Sequence, residues 1–270
     1  MSSGTVAILA VAGVIALSGA AVAGDVPGDV TSRAVLPASD KLTQGGIDGA
    51  PDAQGCIGDV DWYRVSLAKG QHYAFEVTGW FAADSYLAMP RLYDSSGRLL
   101  KQGLAAGDES FSGLEFTAPR TGLYYYGIQA GSCEWDGPID KYFIRYNIDA
   151  PDDFTTRKVV RVGRPYRGNL LFPQDVDFLK VQLAANRTYR FTVALGDHEE
   201  EAYWQGDASE KLTLYAPNHA KVAGTGTVYD RSDDSNTATL TYRPKVGGTY
   251  FVALGPGDFV DSHTYTLLVR

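Results

Sequence analysis

The stretch "GDVDWYRVSLAKGQHYAFEV" at residues 58–77 is answered by "QDVDFLKVQLAANRTYRFTV" at 174–193. Asp59, Asp61, Val65, Leu67, Tyr73, Phe75 and Val77 recur as Asp175, Asp177, Val181, Leu183, Tyr189, Phe191 and Val193, at a constant offset of 116. Upstream, "DVTSR" (29–33) returns as "DFTTR" (153–157). Downstream, "PRTGLYYYGI" (119–128) returns as "KVGGTYFVAL" (245–254), and "KYFIRYNI" (141–148) is answered by "TYTLLVR" (264–270). Over these segments the offset drifts between 116 and 126, as expected when strands are kept and loops vary in length. A chain that repeats itself in this way is a tandem duplication, with its boundary near Asp149-Ala150-Pro151. Each half must therefore build its own core.

The repeated unit is made of strands. Tyr63, Val65 and Leu67 alternate with Arg64 and Ser66, and Tyr73, Phe75 and Val77 alternate with Ala74 and Glu76. Period-two alternation predicts one buried face and one wet face. "AKG" (68–70) and "AAN" (184–186) offer Gly or Asn where a hairpin turn needs positive φ. "PRLYDSSGRLL" and its counterpart "LTLYAPNHAKVA", then "GLEFTAP" and "ATLTYRP", add further short strands. Apolar spacing of three and four never persists long enough for a substantial helix. Seven or eight short antiparallel strands in each half predict an all-β protein of two tandem jelly-roll-like sandwiches, at 24–149 and 150–270.

Residues 5–23, "TVAILAVAGVIALSGAAVA", are a different substance: an uncharged apolar run ending in Ala21-Val22-Ala23. This pattern predicts a signal peptide over residues 1–23, cleaved before Gly24, and a secreted or periplasmic mature protein. Export makes a Cys56–Cys133 disulfide the simplest use of the two cysteines. In the chain-entropy account such a bridge stabilises the fold by about 4.5 kcal/mol. The net charge of −8, without clustered Lys and Arg, argues against a nucleic-acid surface.

Reactive constellations are scarce. Of the four histidines, His72, His198, His219 and His263, none belongs to an H-E-x-x-H pair, and "HEEEA" (198–202) lacks the second histidine. No G-x-S-x-G elbow occurs. His72 falls in the turn before Tyr73, and Thr188 stands at its place in the second half, so a solvent-facing ring is expected. Nor is there extra sequence for a catalytic domain. The expected function is non-catalytic, with no required cofactor, and a small hydrolase built from surface acids is the enzyme alternative.

The run D-x-D-W/F, the V-x-L and Y-x-F-x-V strands, "LYDSSGRLL", "TGLYYY" and the closing Tyr-rich strand together resemble the bacterial pre-peptidase C-terminal domain family. The acidic lead-ins "GDVPGDVTSRA" and "APDDFTTRKV" resemble those that precede the first strand of such domains. The resemblance covers both halves and is weaker in the second. It implies jelly-roll-like modules appended to exported enzymes, related in pattern to the collagen-binding domains of clostridial collagenases. A fold alone does not choose a ligand.

The acidic turns and the loops are where such a protein could act. Asp59 and Asp61, with Asp175 and Asp177, are retained in both halves. They admit a structural reading, as acceptors for turn N–H groups. They also admit calcium, which wants six to eight oxygens and could draw on Asp25 and Asp29, or Asp152 and Asp153, from the lead-ins. The family resemblance implies the second, since its collagen-binding members combine an acidic linker with this turn around calcium. Trp80, Phe81, Trp135, Tyr203 and Trp204 fall in segments that differ between the halves. They are candidates for stacking on a sugar or anchoring a protein, or else for capping the sandwich ends. The expectation is a secreted binding protein, without a membrane span and monomeric, whose partner is an extracellular polymer, a cell surface or a secreted protein. A maturation appendage acting in trans on a peptidase is the second reading.

Overall fold

Alternating Tyr, Val, Leu and Phe stripes need a second apolar face to lie against, and the chain supplies it by pairing sheets. The computed structural model describes residues 26–47, 60–79, 88–105, 111–130, 139–171, 175–195, 210–224, 237–256 and 263–270. Up to residue 148 the strands are β1 (Ser39–Ile47), β2 (Val60–Leu67), β3 (His72–Gly79), β4 (Ala88–Asp94), β5 (Leu99–Gln102), β6 (Leu104–Ala105), β7 (Phe111–Thr117), β8 (Gly122–Ala130) and β9 (Ile139–Ile148). Beyond it lie β10 (Val159–Val160), β11 (Tyr166–Leu170), β12 (Asp177–Leu183), β13 (Tyr189–Leu195), β14 (Glu210–Tyr215), β15 (Lys221–Gly224), β16 (Thr237–Tyr242), β17 (Gly248–Pro256) and β18 (His263–Val269). The described residues are all-β, without a helix.

In the first half one sheet runs β1-β9-β3-β7-β6 and the other β2-β8-β4-β5. The second half repeats the order as β11-β18-β13-β16 and β10-β12-β17-β14-β15. Each half thus pairs a five-stranded sheet with a four-stranded one, and, the short β6 and β10 aside, first beside last and second beside penultimate form the double Greek key of a jelly roll. Among the sheet ladders of the described residues, only β10 on β12 runs parallel, and an isolated parallel bridge from Val35 to Arg64 holds the same place in the first half. Each core draws on one half only. Tyr63, Val65, Phe75, Tyr126 and Ile144 belong to the first, and Leu179, Val181, Phe191, Val252 and Leu267 to the second.

Three expectations change. The turns at 68–70 and 184–186 do carry positive φ, at Gly70 (75°) and Asn186 (61°). They do not close hairpins, however. β2 pairs with β8 while β3 pairs with β7 and β9, so the turn carries the chain from one sheet to the other. Strand alternation specifies which side chains face the core, and two inward stripes satisfy that equally well from opposite sheets.

The outer face of β3 is also not wet. Ala74 and Glu76 are fully buried, and Glu115 and Arg145 nearly so. Glu76 sits directly opposite Arg145 on β9, and the pair closes at 2.5 Å. Ala74 packs instead against Leu171, beyond the boundary at 149–151. Finally, His72 is not solvent-facing. Its side chain is only 10% exposed, because that same outer face is covered.

Candidate site: a buried carboxylate junction

The repeated lead-ins turn out to be wrappings. Asp29 Oδ1 accepts the Thr31 N–H at 2.7 Å, and Asp153 Oδ1 accepts the Thr155 N–H at the same distance. These hydrogen bonds, from the threonine hydroxyls as well as the amides, hold both carboxylates below the usual range. The Asx-turns lay the lead-in over the outside of a sheet. Tyr125 OH donates to the Val30 carbonyl at 2.7 Å beside the stacked Trp62–Tyr93 pair. In the second half Phe154 packs edge-on to Phe178, Tyr215 and Phe251 and stacks on His219. Asp29, Asp152 and Asp153 are exposed, and Asp152 lies near enough to Asp175 for its charge to help raise that buried acid.

The second Asp of each D-x-D turns inward. Asp61 accepts the Val26 N–H at 3.3 Å and the Tyr142 hydroxyl, and Tyr142 OH in turn meets Tyr63 OH at 2.7 Å. Asp177 accepts the Ala150 N–H and the Tyr265 hydroxyl. Both tyrosines reach across from the opposite sheet, and a glycine lets them. A Cβ on Gly45 or Gly168, their cross-strand partners, would stand 2.3 Å from the ring or hydroxyl it faces. The retained Asp thus ties the lead-in, its own strand and the last strand together, which is the structural reading of the motif. Its donors come from the lead-in and the last strand, in place of the turn amides expected.

The second half does more. Asp149, Asp175 and Asp177 each bring a carboxylate oxygen within 4.8 Å of the others, all three buried. Asp175 Oδ2 accepts the Leu171 N–H at 2.7 Å. Asp149 Oδ2, Asp175 Oδ1 and Asp177 Oδ1 meet no amide, hydroxyl or guanidinium donor. Burial, then the neighbouring carboxylate charge, pushes Asp149 and Asp175 well above the carboxylate range. Burial raises Asp177 to about 7, against the lowering pull of Tyr265 and Asp149. No Lys or Arg among the described residues forms an ion pair with the three.

Three acids packed together, with one oxygen of each left over, fit a hard cation. Calcium–oxygen distances of about 2.3–2.6 Å give a ligand shell roughly 5 Å across, and the three oxygens lie close enough together to share one. Sequence reasoning selected Asp175 and Asp177 and missed Asp149, treated only as boundary. The signal was available: Asp149-Ala150 repeats Asp25-Val26, and Ala150 and Val26 make the same hydrogen bond to the D-x-D acid. Asp25, Asp59, Cys56, Cys133, Trp80, Phe81, Trp135, Tyr203 and Trp204 lie outside the described residues.

A jelly-roll sandwich with a buried oxygen-rich junction is the class of structure these features define. No family model matches the chain, and no curated protein matches it. Among solved structures it is similar to the pre-peptidase C-terminal domain of a collagenase from Bacillus anthracis, at 15% identity, over 42% of this chain and 93% of that one, with a TM-score of 0.29. It is also similar to PliG of Aeromonas hydrophila, a periplasmic inhibitor of g-type lysozyme, at 15% identity, over 42% and 96%, with a TM-score of 0.25. The tandem CBM51 modules of a family 98 glycoside hydrolase from Streptococcus pneumoniae match at 9% identity, over 87% and 86%, with a TM-score of 0.25. At these scores the likenesses assign no function.

Proposed function

We propose that this is an exported, non-catalytic accessory protein of two pre-peptidase C-terminal-like sandwiches, at 24–149 and 150–270, that binds an extracellular polymer, cell surface or secreted protein. Calcium on Asp149, Asp175 and Asp177 stiffens the link between its halves. The observation that carries this reading is the trio of buried, like-charged carboxylates at the junction, each with an oxygen lacking a donor. A dication would neutralise charge that nothing else in the described structure balances. It is supported too by the repeated strand order, which leaves each half occupied with its own core. Among the described residues no helix is long and apolar enough to cross a membrane.

The test has two arms. Thermal unfolding of the protein lacking residues 1–23, first in chelator and then with added calcium, should show a higher midpoint with calcium. An unchanged midpoint removes the metal. Pull-down from secreted and cell-envelope fractions should retain a glycan or protein, and Trp80→Ala, Trp135→Ala or Trp204→Ala should weaken retention without lowering stability. Capture of a peptidase alone, with no affinity for polymers, would favour the appendage reading; turnover of a substrate that one carboxylate substitution abolishes would mean a hydrolase.

A further inference from the structure

The carboxylate trio has a neighbour of different chemistry. His72 at the start of β3, Glu115 on β7 and Asp149 each offer a ligand atom, and these lie within 4.8 Å of one another. Asp149 belongs to both groups. The imidazole is held in one orientation: Nδ1 lies 2.9 Å from Thr117 Oγ1, and Nε2 lies 3.0 Å from Glu115 Oε2. The Asp149 N–H donates to the His72 carbonyl at 3.0 Å, so the two backbones are pinned together at this point.

We propose that His72, Glu115 and Asp149 form a second metal site, for a borderline divalent ion such as Zn²⁺, with Asp149 shared between it and the oxygen-only trio. The proposal extends the reading given above to a site that the repeated unit does not contain.

Three physical points carry it. An imidazole nitrogen with two carboxylates is a donor set for zinc-like ions, whereas calcium prefers oxygen alone. Thr117 Oγ1 can accept from Nδ1–H, and in that tautomer the Nε2 lone pair is free to take a metal, the arrangement that hydrogen-bonded partners give ligating histidines. Zinc–ligand bonds of about 2.0–2.1 Å at the tetrahedral angle place neighbouring ligands roughly 3.3–3.4 Å apart, so Nε2 and Oε2, at 3.0 Å, need part by only a few tenths of an ångström. Charge then closes. Glu115, Asp149, Asp175 and Asp177 carry four negative charges when ionised, and two dications balance them. A His72–Glu115 ion pair alone would leave Asp149 Oδ2, on a side chain more than nine-tenths buried, without an amide, hydroxyl or guanidinium donor and facing only other acids. Thr188 stands where a second-half His72 would be, so this site belongs to the junction between the halves.

The experiment uses the full mature chain stripped with chelator, then titrated separately with ZnCl₂, CoCl₂ and CaCl₂. Expected are one tight Zn²⁺ per chain, a thermal midpoint raised by several degrees, and a visible Co²⁺ spectrum of mixed nitrogen and oxygen ligation. His72→Thr, which imports the residue of the second half, and Glu115→Gln should each weaken Zn²⁺ binding by on the order of 100-fold. Both should keep any calcium response of the parent. Asp175→Asn should do the reverse. Absence of a Zn²⁺ or Co²⁺ effect on the parent, or equal Zn²⁺ binding by parent and both variants, overturns the proposal. Zinc binding that depends on His72, with no calcium effect on the parent, would leave this site standing and remove the calcium reading instead.

Discussion

Replacing Asp175 with Asn should stabilise the metal-free protein, the opposite of what deleting a buried hydrogen-bonded acid normally does. The Leu171 N–H that Asp175 accepts at 2.7 Å can be accepted equally by an amide oxygen. The new NH₂ would face Asp149 and Asp177, whose leftover oxygens need donors. The magnitude comes from what burial costs the native acids. In water the Asp175 carboxyl titrates near 3.8, while burial and two like-charged neighbours push it well above that value in the fold. A buried oxygen left without a donor costs about 1–3 kcal/mol, and the new NH₂ can donate to one such oxygen. A gain of about 2 kcal/mol would raise the midpoint of a chain this size by roughly 4–8 °C. Differential scanning calorimetry in chelator should show this rise, and added calcium should then stabilise the parent and leave the variant unmoved. A variant less stable than the parent in chelator would mean that the three acids are already compensated, and the reasoning about the junction would fail.

The pH dependence has a definite sign. Asp149, Asp175 and Asp177 all have folded pKa values above their unfolded ones, so the metal-free fold binds more protons than the unfolded chain. Its stability is therefore greatest below about pH 4 for these groups and declines as pH rises through about 7, the value for Asp177; chelated urea titrations at pH 5 and 8 should show the loss, and calcium should suppress it. Tyr265→Phe and Tyr142→Phe each remove a hydroxyl bound to a buried acid and should cost about 1.5–3 kcal/mol, read from denaturant midpoints. Gly168→Ala should destabilise by more than 2 kcal/mol, as its Cβ cannot coexist with the Tyr265 ring, and calorimetry of that variant checks it. Leu171→Ala should loosen the halves at a cost of about 2–4 kcal/mol and quicken limited proteolysis near Pro151.

Much of the fold is present in the letters themselves. The 2.0-residue period of Tyr63–Leu67 and Tyr73–Val77 requires strands, and it names their core faces, because side chains on a strand alternate regardless of context. Gly70 and Asn186 mark the turns because few other residues accept positive φ. Internal repetition in sequence is matched by the repeated strand order. Three-dimensional packing decided what covers the outward faces and which distant acids meet. Period two says that Ala74 and Glu76 point away from the core, but only the docking of Leu171 makes Ala74 a buried contact. Asp149 reads as a linker residue until the Ala150 N–H is seen bonding to Asp177. His72 reads as a turn residue until β3 and β7 are paired and place it beside Thr117 and Glu115. Local pattern constrains local geometry; a site assembled from the second strand pair of one half and the entry segment of the next exists only once loop closure has brought those segments together.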